Sequence, residues 1–144
     1  MPGVLLDTHA LLWLVNGADL TGDADKAIAE AQRDRALFVS PISGWELSVA
    51  SRKAPGPGRP DLGGQPAPLW FRAALKLTRA KLAPMTQAIT FEAAEVPTIY
   101  SRKDPGDCFL IATARVKNLP IVTRDGAICD LARNRPDYLT VIIC

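Results

Sequence analysis

The chain has 144 residues, few cysteines, a single histidine and no long apolar run, and each shortage closes off a class of function. Cys108, Cys129 and Cys144 are an odd number with no CxxC spacing, and His9 has no second histidine to join it, so zinc has no donor set. This cysteine usage fits a reducing cytoplasm. No uninterrupted apolar stretch approaches the roughly 18 residues of a membrane helix, which points to a soluble protein with no membrane partner. The N-terminus, MPGVLLDTHALLW, carries an acid and a histidine where a secretory leader would place basic residues and then an unbroken apolar segment, so it reads as a first strand. Net charge is only +2, and no internal repeat is visible.

What is present is an alternation of short apolar runs with helical patterns. Runs suited to buried strands lie at Gly3–Leu6, Leu37–Ser40, Leu82–Met85, Pro120–Thr123 and Leu139–Ile143. Between them the spacing predicts helices over Thr8–Val15, Ala24–Arg35, Ser43–Lys53, Leu69–Lys81, Thr86–Ala94, Asp107–Asn118 and Gly126–Arg133. Strands that alternate with helices imply a parallel sheet covered on both faces, because parallel strands need crossover connections. The expected class is therefore α/β in three layers. Residues 1–144 form one domain, a size that buries about two-thirds of its unfolded surface. One segment stands apart: in Ala54–Pro68 nine of fifteen residues are Pro or Gly, which reads as a mobile loop.

The acids fall in an informative place. Ligands of open α/β sheets bind beyond the carboxyl ends of the strands. Asp7 directly follows the first apolar run, and Asp125 follows "PIVTR". Glu46 lies one turn into the helix after "LFVS", where its neighbours three and four positions away are Ile42, Ser43, Val49 and Ala50. Asp104 and Asp107 open the helix that leads back to the strand carrying Asp125. Local roles account for part of this: Asp104 suits an N-cap, Pro105 the first helical position and Asp107 the third, while Asp7 and Asp125 suit a cap and a turn. Gathered at one rim, however, carboxylates about 4 Å apart repel by roughly 4 kcal/mol per pair at an effective dielectric near 20. Such a pocket needs a cation. Oxygen-only donors favour Mg2+ or Mn2+, and a hard ion of that kind serves phosphodiester chemistry by clamping phosphate oxygens and activating water. If the five acids converge, the remaining surface carries 17 basic against ten acidic residues, a balance suited to a polyanion. His9 reads as packing or a local hydrogen bond.

The stretches "LLDTHALLWLV", "VSPISGWELSVASRK" and "DPGDCFLIATARVKNLPIVTRD", with the final apolar strand, resemble the PIN domain, in particular the VapC-type toxins of bacterial toxin–antitoxin pairs. The resemblance spans essentially the whole chain. It implies a three-layer α/β/α sandwich on a parallel five-stranded sheet and a Mg2+- or Mn2+-dependent endoribonuclease. It also implies a cognate antitoxin and a homodimer, with the helices around Trp13, Trp45 and Trp70 leaving apolar area for such contacts. By position, the family's four acids fall on Asp7, Glu46, Asp107 and Asp125, the catalytic and metal-binding set. Asp104 matches the first aspartate of a DPxD variant and is read chiefly as the cap. Thr8 and Thr123 occupy the hydroxyl positions that support the acids. Arg52, Lys53, Arg102, Lys103 and Arg124 are candidates to steer RNA phosphates. Two departures are the longer Pro-Gly loop and Gly106, where an aromatic is common. A haloacid-dehalogenase-like phosphohydrolase also begins with an Asp after strand one, but requires a second Asp where this chain has His9. A receiver-type module needs paired acids and a lysine that are not in place. A PIN fold that only binds RNA or protein is the remaining alternative, although all the acids are retained.

Overall fold

The computed structural model of the chain describes residues 3–102 and 104–144. Five strands form one sheet in the order β3-β2-β1-β4-β5, with every neighbouring pair parallel. They are β1 (Val4–Leu6), β2 (Leu37–Val39), β3 (Lys81–Leu82), β4 (Ile121–Thr123) and β5 (Val141–Ile143). Seven α-helices connect them: α1 (Thr8–Val15), α2 (Gly22–Arg33), α3 (Pro41–Ala50), α4 (Ala67–Thr78), α5 (Gln87–Glu95), α6 (Pro105–Lys117) and α7 (Gly126–Asn134). None of these described helices is long and apolar enough to cross a membrane.

The three-layer arrangement follows from strand alternation. Val4 and Leu6 on β1 and Val122 on β4 face a cluster that includes Leu11, Ile28, Leu47 and Trp70 from α1 to α4. Leu5 and Ile121 point the other way, into Ile89, Ile111, Ile128 and Leu131 from α5 to α7. Successive residues on a strand project to opposite faces, so a central strand covered on both sides must be apolar throughout, as VLL is. Leu5, Leu6, Leu11, Ile111 and Ile121 are fully buried, each worth about 1.5–3 kcal/mol relative to exposure.

Element ends differ from the spacing in instructive ways. Helices α2 and α4 stop two or three residues early because Arg35 and Arg79 adopt left-handed φ of 55° and 61°, as Asn118 does after α6 at 55°. In each case the next amide bonds a carbonyl five residues back, from Ala36 to Ala31 at 2.8 Å, Ala80 to Leu75 at 3.1 Å and Leu119 to Ala114 at 2.8 Å. That closure turns the chain into β2, β3 and β4. The third strand is centred before the expected Leu82–Met85: Lys81 pairs with Phe38 and Leu82 with Val39. As an edge strand with both residues exposed, it has no apolar demand for periodicity to detect. A 3-10 turn at Val96–Thr98 was not foreseen. The Pro-Gly segment is irregular, as expected, but it is pinned rather than loose. Leu62 is buried in the first core cluster, the Asn16 side-chain amide donates to the Asp61 carbonyl at 3.0 Å, and Ala67 and Pro68 already belong to α4.

Candidate metal centre

All five acids singled out by the sequence lie at the carboxyl end of the sheet, each placed by a short local rule. Asp7 ends β1 and caps α1, its Oδ1 accepting from the Ala10 amide at 2.7 Å. Asp125 follows β4 and caps α7, its Oδ1 accepting from Ala127 and Ile128 at 2.9 and 3.1 Å. Asp104 caps α6 by accepting from the Asp107 amide at 3.2 Å, with Pro105 starting the helix. Glu46 projects from α3, whose start is fixed by Ser40 accepting from Ile42 at 3.1 Å. Glu46, Asp104 and Asp107 each bring a carboxylate oxygen within 4.8 Å of the other two. Asp7 and Asp125 stand outside that trio, within charge range of it. Asp104 thus both caps the helix and joins the cluster, a larger part than a cap alone.

Close approach here depends on Gly106. A Cβ built on it would sit 2.6 Å from the Glu46 Cδ, so a side chain at this position would push the glutamate out of the cluster. An aromatic side chain there would be incompatible with this placement of Glu46.

Hydroxyls orient the carboxylates. Thr8, 2.9 Å from the Ser43 hydroxyl, donates to Glu46 Oε1, and Thr123 donates to Asp7 Oδ2. The Thr123 oxygen also accepts from the Asp125 amide at 3.0 Å, tying two acids to one side chain. Tyr100, almost wholly buried, donates its hydroxyl to Asp107 Oδ2 at 2.9 Å. Sequence spacing gave no sign of either role: Tyr100 reaches Asp107 directly, and Ser43 meets the Thr8 hydroxyl that holds Glu46.

Burial is the main reason that the Asp7 and Glu46 carboxyls are pushed above their ordinary values, with neighbouring carboxylates adding to it. The same causes raise Asp107 to about 6, and the Tyr100 hydroxyl holds it back from rising further. Tyr100 itself is driven up by burial and by the proton it shares with Asp107. Arg102 partly offsets the charge: its guanidinium lies 3.8 Å from Asp107 Oδ2 and 3.5 Å from Asp125 Oδ2. It therefore reaches two of the acids while its side chain stays half exposed to solvent.

The other cations differ. The Arg124 guanidinium stacks 3.8 Å over the Trp13 ring and donates to the Asp19 and Cys144 carbonyls at 3.2 and 3.0 Å, which occupies it locally. Arg52 and Lys53 are exposed at the end of α3, and Lys103 lies outside the described residues. His9, exposed to solvent, stacks on Trp13 with centroids 5.6 Å apart. Trp70 is buried in the core and offers no contact surface, while Trp45 is 52% exposed. The three cysteines are free and buried.

The donor set suits a hard divalent ion. Glu46, Asp104 and Asp107 offer three carboxylate oxygens within 4.8 Å of one another, the oxygen-only donor set that a hard divalent ion prefers. Buried, mutually repelling carboxyls gain most from such an ion, since its charge favours the ionised forms that burial disfavours.

Comparison with known proteins places these features in context. The model of the PIN domain matches residues 4–134. No curated protein matches the chain. Among solved structures, a toxin–antitoxin complex from Klebsiella pneumoniae is 19% identical, with a TM-score of 0.59 and coverage of 97% of this chain and 96% of the other. VapBC2 from Rickettsia felis bound to a promoter DNA fragment is 15% identical, with a TM-score of 0.65 and 97% of each chain covered. FitAcB from Neisseria gonorrhoeae is 16% identical, with a TM-score of 0.61 and 96% of each chain covered. At these identities the likeness is one of fold.

Proposed function

The chain belongs to the PIN domain family, and from that premise we propose that it is a Mg2+- or Mn2+-dependent endoribonuclease, the toxin of a type II toxin–antitoxin pair acting in the cytoplasm. The observation that carries this reading is the convergence of Glu46, Asp104 and Asp107 within 4.8 Å, beside Asp7 and Asp125 at one rim of the sheet. The toxin–antitoxin complexes among its structural neighbours support a cognate antitoxin as partner. Leu69, Leu77 and Phe91, all more than half exposed on α4 and α5, offer apolar area for that contact or for a homodimer.

Glu46, Asp104 and Asp107 would hold the ion, with Asp7 and Asp125 as direct or water-bridged ligands. When bound, such an ion supplies polarisation of a phosphate oxygen and a water of lowered pKa. The chain supplies orientation. Thr8 fixes Glu46 by one oxygen and leaves Oε2 turned toward Gly106 and the opening of α6. Tyr100 fixes Asp107 by Oδ2, and Thr123 fixes Asp7. Carboxylates locked in this way need little reorganisation as charge develops on the phosphate. Arg102 sits where a substrate phosphate would meet the acids, and it can exchange its carboxylate partners for phosphate oxygens.

The test is cleavage of structured RNA by protein stripped of metal, with Mg2+, Mn2+ or EDTA. Cleavage is expected only with the divalent ions, and expression alone should arrest growth unless the neighbouring gene is co-expressed. Cleavage undiminished by chelation would sink the mechanism, and harmless overproduction of folded, metal-loaded protein would count against the toxin role.

A further inference from the structure

A cavity of about 510 Å3 opens directly beside the carboxylates, between α1, α3 and residues 57–61 of the Pro-Gly segment. It shares Thr8, Glu46 and Asp104 with the acid rim, so the two form one continuous surface. Its volume lies within the roughly 300–1,000 Å3 of small-ligand pockets. The wall next to Glu46 is Trp45, an indole more than half exposed on α3, where Val49 is exposed as well and Ser43 and Leu47 are buried. The other two tryptophans are engaged: Trp70 is in the core, and Trp13 carries His9 and Arg124 against its ring. Among the described residues no aromatic ring or guanidinium stacks on Trp45. Lys53 and Arg59 line the same cavity, as does Asp61.

We propose that this cavity is a nucleobase subsite, in which Trp45 stacks one unpaired base of single-stranded RNA next to the phosphate held at the carboxylate rim. The inference rests on the endoribonuclease reading and deepens it by naming the form of RNA that fits. The exposed indole of Trp45 suits the face of a base, which every base presents, and Lys53 and Arg59 in the same lining suit a backbone phosphate, with Asp61 beside them. A paired base cannot enter, because its faces are covered within the duplex and extrusion costs unstacking energy. The Pro-Gly segment then has a purpose: pinned at Leu62 and by Asn16, it supplies the far wall of the recess.

The probe is a short single-stranded RNA, with an abasic nucleotide placed at each position in turn. Binding is read by fluorescence anisotropy in EDTA at low salt, so that cleavage does not compete and the base contact is read without the phosphate contact at the metal site. At one position, loss of the base should weaken binding to the wild-type protein by about 5- to 140-fold, the span that base stacking on an aromatic side chain represents. Trp45→Ala should weaken binding of the intact RNA by a similar factor and be indifferent to the abasic substitution at that position, whereas Trp45→Phe should recover most of the loss. Melting temperatures equal to wild type exclude misfolding as the cause. The proposal is overturned if the two losses multiply independently, or if Trp45→Ala binds and cuts RNA as the wild type does, including the case where it loses only antitoxin capture. Base-dependent binding without cleavage in any divalent ion would instead refute the nuclease reading and leave the subsite standing.

Discussion

Among the described residues six helix starts are capped by a side chain, and they divide into two kinds. Helices α2, α3 and α5 use the hydroxyls of Thr21, Ser40 and Thr86, which accept from the helix amides at 3.1, 3.1 and 3.3 Å. Helices α1, α6 and α7 use the carboxylates of Asp7, Asp104 and Asp125 at 2.7 to 3.2 Å. Both kinds cap about equally well, and the extra charge adds roughly 0.3–1 kcal/mol through the helix dipole. Folding therefore has no need of a carboxylate at all three sites. Those three are the ones grouped with Glu46 and Asp107 at a rim where burial and mutual repulsion raise several carboxyls. The contrast separates what capping explains, the presence of an acceptor, from what it does not, the accumulation of charge against the stability of the metal-free protein.

The contrast can be broken most severely at Asp107, which caps nothing. Asp107→Asn should lower RNA cleavage more than about 100-fold, since loss of a ligand exceeds the 10- to 100-fold cost of disturbing its support. Its melting temperature without metal should hold or rise. Full activity in this variant would overturn the assignment.

Titration sharpens the same point. The Asp107 carboxyl rises on folding from 3.8 to about 6, so the native state binds this proton more tightly than the unfolded chain does. Its stabilising contribution is complete below pH 3.8 and is lost as pH rises through about 6, a swing of at most about 3 kcal/mol. Asp7 and Glu46 shift in the same direction. Metal-free protein should thus melt higher at pH 5 than at pH 8, and Mn2+ should shrink the difference. A melting temperature that climbs from pH 5 to pH 8 without metal would contradict this origin of the shifts.

The smallest effect compares the two kinds of cap directly. Thr86→Ala should cost about 0.5–2 kcal/mol of stability and leave cleavage unchanged. Asp104→Ala should cost a similar amount and also lower cleavage, whereas Asp104→Asn should keep the stability and still lower cleavage. Were Asp104→Asn fully active, Asp104 would be a cap like Thr86 and nothing more.

Much of this architecture could be read from the chain because the central strands are buried on both faces. Val4–Leu6 and Ile121–Thr123 must be apolar or small without interruption, and such runs stand out between helical patterns. Lys81–Leu82, exposed at the sheet edge, lacks that constraint, and the apolar pattern points instead to Leu82–Met85. The acids were legible because each follows a strand or opens a helix. Tyr100 and Ser43 were not, since their hydroxyls meet Asp107 and Thr8 through tertiary packing that no spacing encodes. The double role of Asp104 was hidden for a different reason: capping already accounted for it. Only the close approach of α3 to α6, permitted by Gly106, brings Glu46 to its side.

The central claim, that this rim is a divalent-cation site and not an assembly of helix caps, is tested most directly by calorimetric titration of Mn2+ into the metal-free protein at pH 7. Saturable binding is expected in the wild type and in Thr86→Ala, with marked weakening in Asp107→Asn and Asp104→Asn, which keep their backbone geometry but lose charge. Binding of equal strength in all four proteins, or none in the wild type, would contradict the account.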